Sequence, residues 1–534
     1  MNKKLISVIL AVSILFSVFT VPAFANEVVT DRNTQKVYTV LDKIVNGLVG
    51  GIAAMIKGPA WPNKSDYKPS EYFYKGLSKD EYRKEAGEND AWQMGYSNAS
   101  ILTGKEIGSD GDYYVGGSLQ VTKKLATEQW DDQKVRTVAL SDGRGISIFT
   151  AIDAYGLANT EVKVIREKFA AYAKEKKLNI TSVNISVLHQ HSCVDTFGLN
   201  GDIVNALFTA SIRNLFGQAL PSGKNKDYMN NLYNVTVKSM ADAVENMKTG
   251  SLYFGKVNAE EYIRDKRDPQ LFDKNLNRFR FVPDEGGREI WLVNAAIHCV
   301  GNGAGGTALT GDYPYYMEKY INEHDNADLF FIEGAELAIS SKGDNLEIDP
   351  EQREKDGNIY EIKLYGETLA KRLETIKDEI KLDPIFNISY TEVWIEIENN
   401  ILVLAGKGGL IDDNIYRDGI GKFYLQTEVG YAEFGKDIAV SIIPGELAPE
   451  IAYGGAEKAD TSWQGADWGY PSFAELSPDR YLLVFGLTND QVGYLLTSNN
   501  WHSIFTENEE VVSCGQYAGE SVAKGYIELV KSVK

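Results

Sequence analysis

Residues 180–191, ITSVNISVLHQH, decide how this chain is read. β-Branched and apolar side chains alternate with small polar ones, and the run ends in two histidines one residue apart. Period-two alternation marks a half-buried strand. On a strand, side chains at i and i+2 share a face, so His189 and His191 are expected to project together from its C-terminal end. Only five histidines occur in 534 residues, and neutral imidazole is a common zinc ligand. A metal site is one account of the pair; two hydrogen-bonded histidines on a half-buried strand is the other.

Working outward, VRTVALSDGRGISIFTAID (135–153) reads as a hairpin turning at Asp142-Gly143-Arg144-Gly145. Between it and the histidine strand, NTEVKVIREKFAAYAKEKK (159–177) places Val162, Ile165, Phe169 and Tyr172 at helical spacing. Further strands are expected in EIWLVNAAIHCV (289–300), DLFFIEGAEL (328–337), VWIEIENNILVLAG (393–406), DIAVSIIPGE (437–446) and YLLVFGLTN (481–489). Helices such as YEIKLYGETLAKRLETIKDEI (360–380) separate them. Residues 26–90 read as polar and irregular apart from VNGLVGGIAAMI (45–56), which fits a helix or a strand. The fold class is therefore α/β in the mixed α+β sense, with large mixed β-sheets flanked by helices. No linker or repeat divides residues 26–534, which read as one catalytic domain of two packed lobes.

The first 25 residues read as a leader: Lys3 and Lys4, the apolar run LISVILAVSILFSVFTVP, then Ala23-Phe24-Ala25 for cleavage. A retained N-terminal anchor is the alternative. No later stretch is expected to supply the roughly 20 apolar residues that cross a bilayer. The lysine-rich leader points to a bacterial protein, secreted or periplasmic. A formal net charge of −20 makes nucleic acid and anionic membranes poor electrostatic partners. Three cysteines, Cys193, Cys299 and Cys514, allow at most one bridge. Oligomeric state is not readable.

Three other strand ends carry functional-looking groups. His298 closes IWLVNAAIHC and precedes GNGAGG (301–306), a literal GxGxxG. The dinucleotide reading of that motif is disfavoured, because TALTGDYP intervenes before the next helix. Glu446 sits in a Pro-Gly-Glu turn, and Tyr494 follows the turn Asn489-Asp490. Singly, these read as a solvated acid and a half-buried aromatic.

Jointly, the motifs resemble those of the neutral, or non-lysosomal, ceramidases, zinc amidases that cleave the N-acyl bond of ceramide. Where that family has Thr-His-Thr-His-Ser-Gly-Pro, this chain has Leu188-His189-Gln190-His191-Ser192-Cys193-Val194. A Val-His turn and Gly-Asp segment are echoed by Ile297-His298 and Gly311-Asp312, and Pro-Gly-Glu by Pro444-Gly445-Glu446. A Gly-Leu-x-Asn segment and Tyr-Ile-Thr-Thr correspond to Gly486–Asn489 and Tyr494–Thr497. Met94-Gly95-Tyr96 and Asp153 are weaker echoes. Order and spacing agree from about residue 90 to 500.

The resemblance implies one zinc ion per chain, held by His189, His298, Glu446 and Tyr494. It implies His191 as a non-ligand that meets the substrate carbonyl, and Ser340 as the active-site serine. It assigns no other substrate-binding residue. Its departures are Cys193-Val194 in place of Gly-Pro, Ala338 in place of an aspartate, and no counterpart of the family's C-terminal immunoglobulin-like domain. Cys193 and Cys299 read as small buried thiols, as a bridge, or as competitors for the metal. Zinc polarises an amide carbonyl and lowers the pKa of bound water to about 7, so a neutral-to-alkaline activity optimum is expected. The implied function is hydrolysis of ceramide-like lipids to a sphingoid base and a fatty acid. The alternatives are another exported amide or ester as substrate, or a lipid- or glycan-binding protein on the same fold. Trp463, Trp468 and Tyr470 in SWQGADWGYPS are candidates to rim a lipid channel, and equally surface turns or sugar contacts.

Overall fold

The structure, a computed structural model, describes residues 31–108, 113–117, 124–218, 222–303, 306–411, 413–506 and 509–534. The leader at residues 1–25 lies outside them, as do Ala304 and Gly305 of the glycine-rich turn.

The fold is mixed α+β. Its larger sheet has nine strands, eight of them in the order Ala327–Glu333, Glu289–Ala295, Asn275–Pro283, Lys248–Asn258, Trp92–Ser100, Lys134–Ser141, Ile146–Ile152 and Ile180–Val187. The ninth, Ile380–Lys381, pairs with Lys248–Asn258. The outermost pair at each end is parallel and the inner pairs are antiparallel. The expected hairpin forms, with Leu140 opposite Ser147 at its turn. Parallel strands need a crossover, and helix Asn159–Lys176 supplies it, burying Val162, Ile165 and Phe169.

A second sheet of five strands runs Phe386–Glu396, Phe423–Phe434, Ile438–Ile442, Tyr481–Phe485, with Ile415–Arg417 paired to Phe423–Phe434. Its inner face meets the first sheet through aromatic rings. The ring of Phe149 lies 6.1 Å from that of Phe386 and 6.0 Å from that of Phe485. One apolar cluster therefore spans both sheets, and the sites at their strand ends are held in a fixed relation.

Two segments differ from expectation. VWIEIENNILVLAG is not one strand: it stops at Glu396, and Asn399 caps helix Asn400–Gly408 by accepting from Ile401 N at 3.0 Å. A short helix buried on several sides has no polar face, so periodicity cannot tell it from a buried strand. VNGLVGGIAAMI is the second half of a helix, Arg32–Met55, capped by Asp31. That helix packs Val49, Ile52 and Ala53 into the apolar cluster that also holds Ile401, Val403 and Leu404, and leaves Val37, Val40, Ile44 and Leu48 exposed. Length and composition alone would let it cross a membrane, which corrects the expectation that no segment after the leader qualifies. The charges gather in its first half and residues 44–55 carry none.

Candidate metal centre

Strand Ile180–Val187 ends before its histidines. Leu188 N still donates to Ile152 O and Gln190 N to Ala154 O, but between them His189 takes a left-handed φ of 49°. The expectation of a shared strand face is thus corrected. A turn brings the two rings together instead, edge to face with centroids 4.8 Å apart. Such a conformation costs a non-glycine residue roughly 1–2 kcal/mol. Four of the seven non-glycine residues with positive φ in the described chain, His189, Ala338, Leu487 and Asn489, lie in segments that build this region. Strain that gathers this way marks positions the surrounding structure over-determines.

Gln190, between the histidines, points away from them. Its Nε2 donates to Gly311 O at 2.6 Å and to Asp153 Oδ1 at 3.1 Å. Asp153 is held by Arg136 at 2.8 Å, and Arg136 also pairs with Glu318 at 2.6 Å, all three fully buried. The faint echo at Asp153 is therefore a support for the histidine turn.

The other predicted residues arrive from separate elements. His298 bridges to Ser340 in a parallel arrangement, its N–H donating to Ile339 O. Glu446 and Tyr494 are register partners in the short parallel ladder of Glu446–Leu447 with Tyr494–Leu495. Ser340 is buried, and its Oγ accepts from Arg264 Nε at 3.4 Å.

Backbone carbonyls orient the two rings that converge on Glu446. His189 Nδ1 lies 2.8 Å from Tyr155 O, and His298 Nδ1 lies 2.8 Å from Ile339 O. A carbonyl only accepts, so each Nδ1 carries the hydrogen, and the Nε2 of each neutral ring presents a lone pair. Those Nε2 atoms stand 3.4 Å from Glu446 Oε1 and 3.0 Å from Glu446 Oε2. Lone pairs facing a buried carboxylate repel unless a cation lies between them or a ring is protonated. For His189, burial opposes protonation and takes its pKa down to about 4. Burial pushes Glu446 up, but the attraction of His189 and His298 outweighs it and leaves the acid below its ordinary value.

Around this core several polar atoms lack partners. His189 Nε2 and His191 Nε2 are buried with none, and burial drives the His191 pKa well down. Glu336, which the sequence did not single out, is fully buried with neither carboxylate oxygen accepting from an N–H or hydroxyl group. Its Oε2 lies 3.6 Å from His298 Nδ1. Ligand-capable atoms of His189, His298, Glu336 and Glu446 all fall within 4.8 Å of one another. Nitrogen and oxygen donors of this kind suit zinc. Tyr494 is half-buried, and burial, then the charge of Glu446, raises its phenol well above the usual value.

Cys193 and Cys299 are free and buried. Cys193 Sγ donates to Gln190 O at 3.1 Å, and burial raises both thiols well above their usual pKa. The bridge is set aside because both thiols are free, and the competing ligand because neither sulfur belongs to a metal-capable cluster among the described residues.

An apolar cavity opens from the centre. Its lining includes Tyr155, Gln491, Glu446 and Asp413 among polar residues and Ile203, Leu207 and Ile401 among apolar ones. Tyr155 stacks on His189 with centroids 4.6 Å apart, and Gln491 Nε2 donates to Glu446 Oε1 at 3.3 Å. Neither residue carried a sequence signal. Trp463 and Trp468 do not line this cavity: both are buried, Trp463 stacked on His502 at 4.7 Å.

No protein-family model and no curated protein matches the chain. Among solved structures, a neutral ceramidase from Pseudomonas aeruginosa superposes with a TM-score of 0.59, over 83% of this chain and 74% of that one at 13% identity. A ceramidase solved in complex with C2 superposes at 0.56, over 83% and 75%, also at 13% identity. The alternation of 180–191, the two-sheet core and these superpositions agree: this chain has the fold of the neutral ceramidases.

Proposed function

We propose that this protein is an exported zinc amidohydrolase that cleaves the N-acyl amide of ceramide-like lipids, releasing a sphingoid base and a fatty acid. One observation carries the metal: two imidazole Nε2 atoms, fixed by carbonyls behind them, face the two oxygens of one buried carboxylate. His189, His298 and Glu446 would hold the ion, and the family resemblance adds Tyr494. When bound, zinc supplies Lewis acidity that polarises an amide carbonyl and makes water nucleophilic near neutral pH. The apolar cavity that Glu446 helps to line supports a substrate with a hydrocarbon chain, as does the fold shared with the superposed ceramidases.

The chain's own groups account for the remaining needs. His191 presents its unpartnered Nε2 beside His189, where it hydrogen-bonds the carbonyl oxygen as negative charge develops. Ser340, steadied by Arg264, positions the amide or the attacking water. Water adds its oxygen to the acyl carbon, the C–N bond breaks, and the amine leaves with the proton that water gives up.

The test joins elemental analysis to turnover. Mature protein is expected to carry about one zinc, lost in His298→Ala, and to hydrolyse N-acyl sphingosines in a chelator-sensitive, zinc-restored way. Wild-type protein that holds no zinc after zinc-supplemented expression sinks the hydrolase reading. Turnover of simple esters with none of ceramides keeps the chemistry and discards the substrate.

A further inference from the structure

Helix Arg32–Met55 packs Val49, Ile52 and Ala53 inward, yet its other side is apolar too. Val37, Val40, Leu41, Ile44, Leu48 and Met55 are exposed, Val37 by 58%, at the three-and-four spacing that defines one helix face. Helix Ile203–Leu215 repeats the pattern. Ile203 and Leu207 line the apolar cavity, while Phe208, Ile212, Leu215 and the following Phe216 are exposed, Phe216 by 70%. The two helices adjoin: Lys57 N donates to Ser211 Oγ at 3.1 Å, and Asn214 Nδ2 donates to Lys57 O at 2.8 Å. Exposed apolar surface of this extent marks contact with another protein or with a membrane.

Charge selects between the two. Residues 32–57 and 203–217 carry five cations, Arg32, Lys36, Lys43, Lys57 and Arg213, against one acid, Asp42, in a chain of net charge −20. Asp42 accepts from Ser503 Oγ at 2.8 Å, and Asp31 and Asp202 cap the two helices. A second copy docking through the same patch would set cations against cations, whereas lipid phosphates complement them.

We propose that these two helices form a docking surface that lies on a phosphocholine bilayer and brings the wall of the apolar cavity against it. The longer helix does not cross the bilayer, because the body of the protein holds it at several points. Arg32 donates to Asp460 O at 2.8 Å, and Asn46 Nδ2 donates to Glu398 O at 2.9 Å. The net charge of the whole chain favours a zwitterionic surface over an anionic one. A lipid with a hydrocarbon chain then passes from bilayer to cavity beside Ile203 and Leu207.

The test is flotation of mature protein, freed of its apolar leader, with phosphatidylcholine vesicles. Wild type is expected to float. Val40→Gln with Ile44→Gln, and separately Ile212→Gln with Phe216→Gln, should each float about tenfold less while melting with wild type. A photoreactive lipid in the same vesicles should label wild type within residues 32–57 or 203–217, a result that needs no variant. Both variants should keep wild-type turnover of a dispersed short-chain N-acyl sphingosine and lose turnover of vesicle-borne substrate. Wild type that does not float, variants that float or turn over vesicle-borne substrate like wild type, or labelling confined to other residues overturns the proposal. A dimer that the same substitutions split, with no vesicle bound, overturns it too and gives the face to a second copy. If no N-acyl lipid is turned over, the hydrolase reading fails, and flotation and labelling decide this proposal alone.

Discussion

At the scale of the residue, the centre separates orientation from chemistry. Tyr155 O and Ile339 O fix two rings, while His191 is left with an unpartnered Nε2. His191→Asn is therefore expected to retain zinc and lose about 10²–10³ in kcat, the usual effect of removing one oxyanion donor. Steady-state kinetics beside zinc analysis checks this, and zinc loss in that variant would make His191 a ligand instead. His189, His298, Glu446 and Tyr494 stood out together in the sequence only through the joint resemblance of their motifs, and the structure brings the first three together with Tyr494 paired to Glu446. Glu336 did not, since a lone acid in DLFFIEGAEL looks like any polar residue at the end of a strand. Its place beside His298 depends on the left-handed turn at Ala338, and nothing in one dimension records that.

At the scale of the element, close packing guards the histidine turn. A Cβ on Gly117 would stand 2.3 Å from His191 Cα, and the Gly117 φ of 115° excludes most other residues as well. Gly117→Ala should displace His191, costing about 1–3 kcal/mol of stability and at least tenfold in turnover while zinc stays bound. Unchanged kinetics would show that the turn tolerates displacement. Support from below is electrostatic. Arg136→Met would leave Asp153 buried without its cation and Glu318 with Lys134 alone, 3.3 Å away, for an expected loss of about 3–5 kcal/mol, read by denaturant unfolding. Elements with a clean period were legible: the hairpin at 142–145, helix Asn159–Lys176 and the strand before His189. The 393–406 segment was misread because uniform burial erases the polar face that distinguishes a helix from a strand.

At the scale of the whole molecule, buried acids set the response to pH. Burial raises Asp42 and Asp413 to about 7, and Asp131 and Asp312 to about 6, from an ordinary 3.8. The folded chain keeps protons there that the unfolded chain has released, so their stabilisation is full below about pH 4 and fades as pH rises to 6–7. His502 runs the other way. Burial, then Arg267, lowers it from 6.5 to about 3, so its contribution is full above pH 6.5 and is lost as pH falls towards 3. Four acids outweigh one histidine over this range, so metal-free protein should melt progressively lower as pH rises from about 4 to 7. Calorimetry between pH 4 and 8.5 checks this; a melting temperature that climbs steadily to pH 8.5 contradicts it.

The groups proposed to surround the ion come from far apart along the chain. His189 is tied to Tyr155, His298 to Ile339, and Glu446 pairs with Tyr494. A ribosome that has made His189 and His298 has made two rings with no carboxylate at 446 to face. Glu446 follows His298 by 148 residues. The centre therefore cannot form until Glu446 is made, and any ion it takes is drawn from the surroundings in which the chain folds.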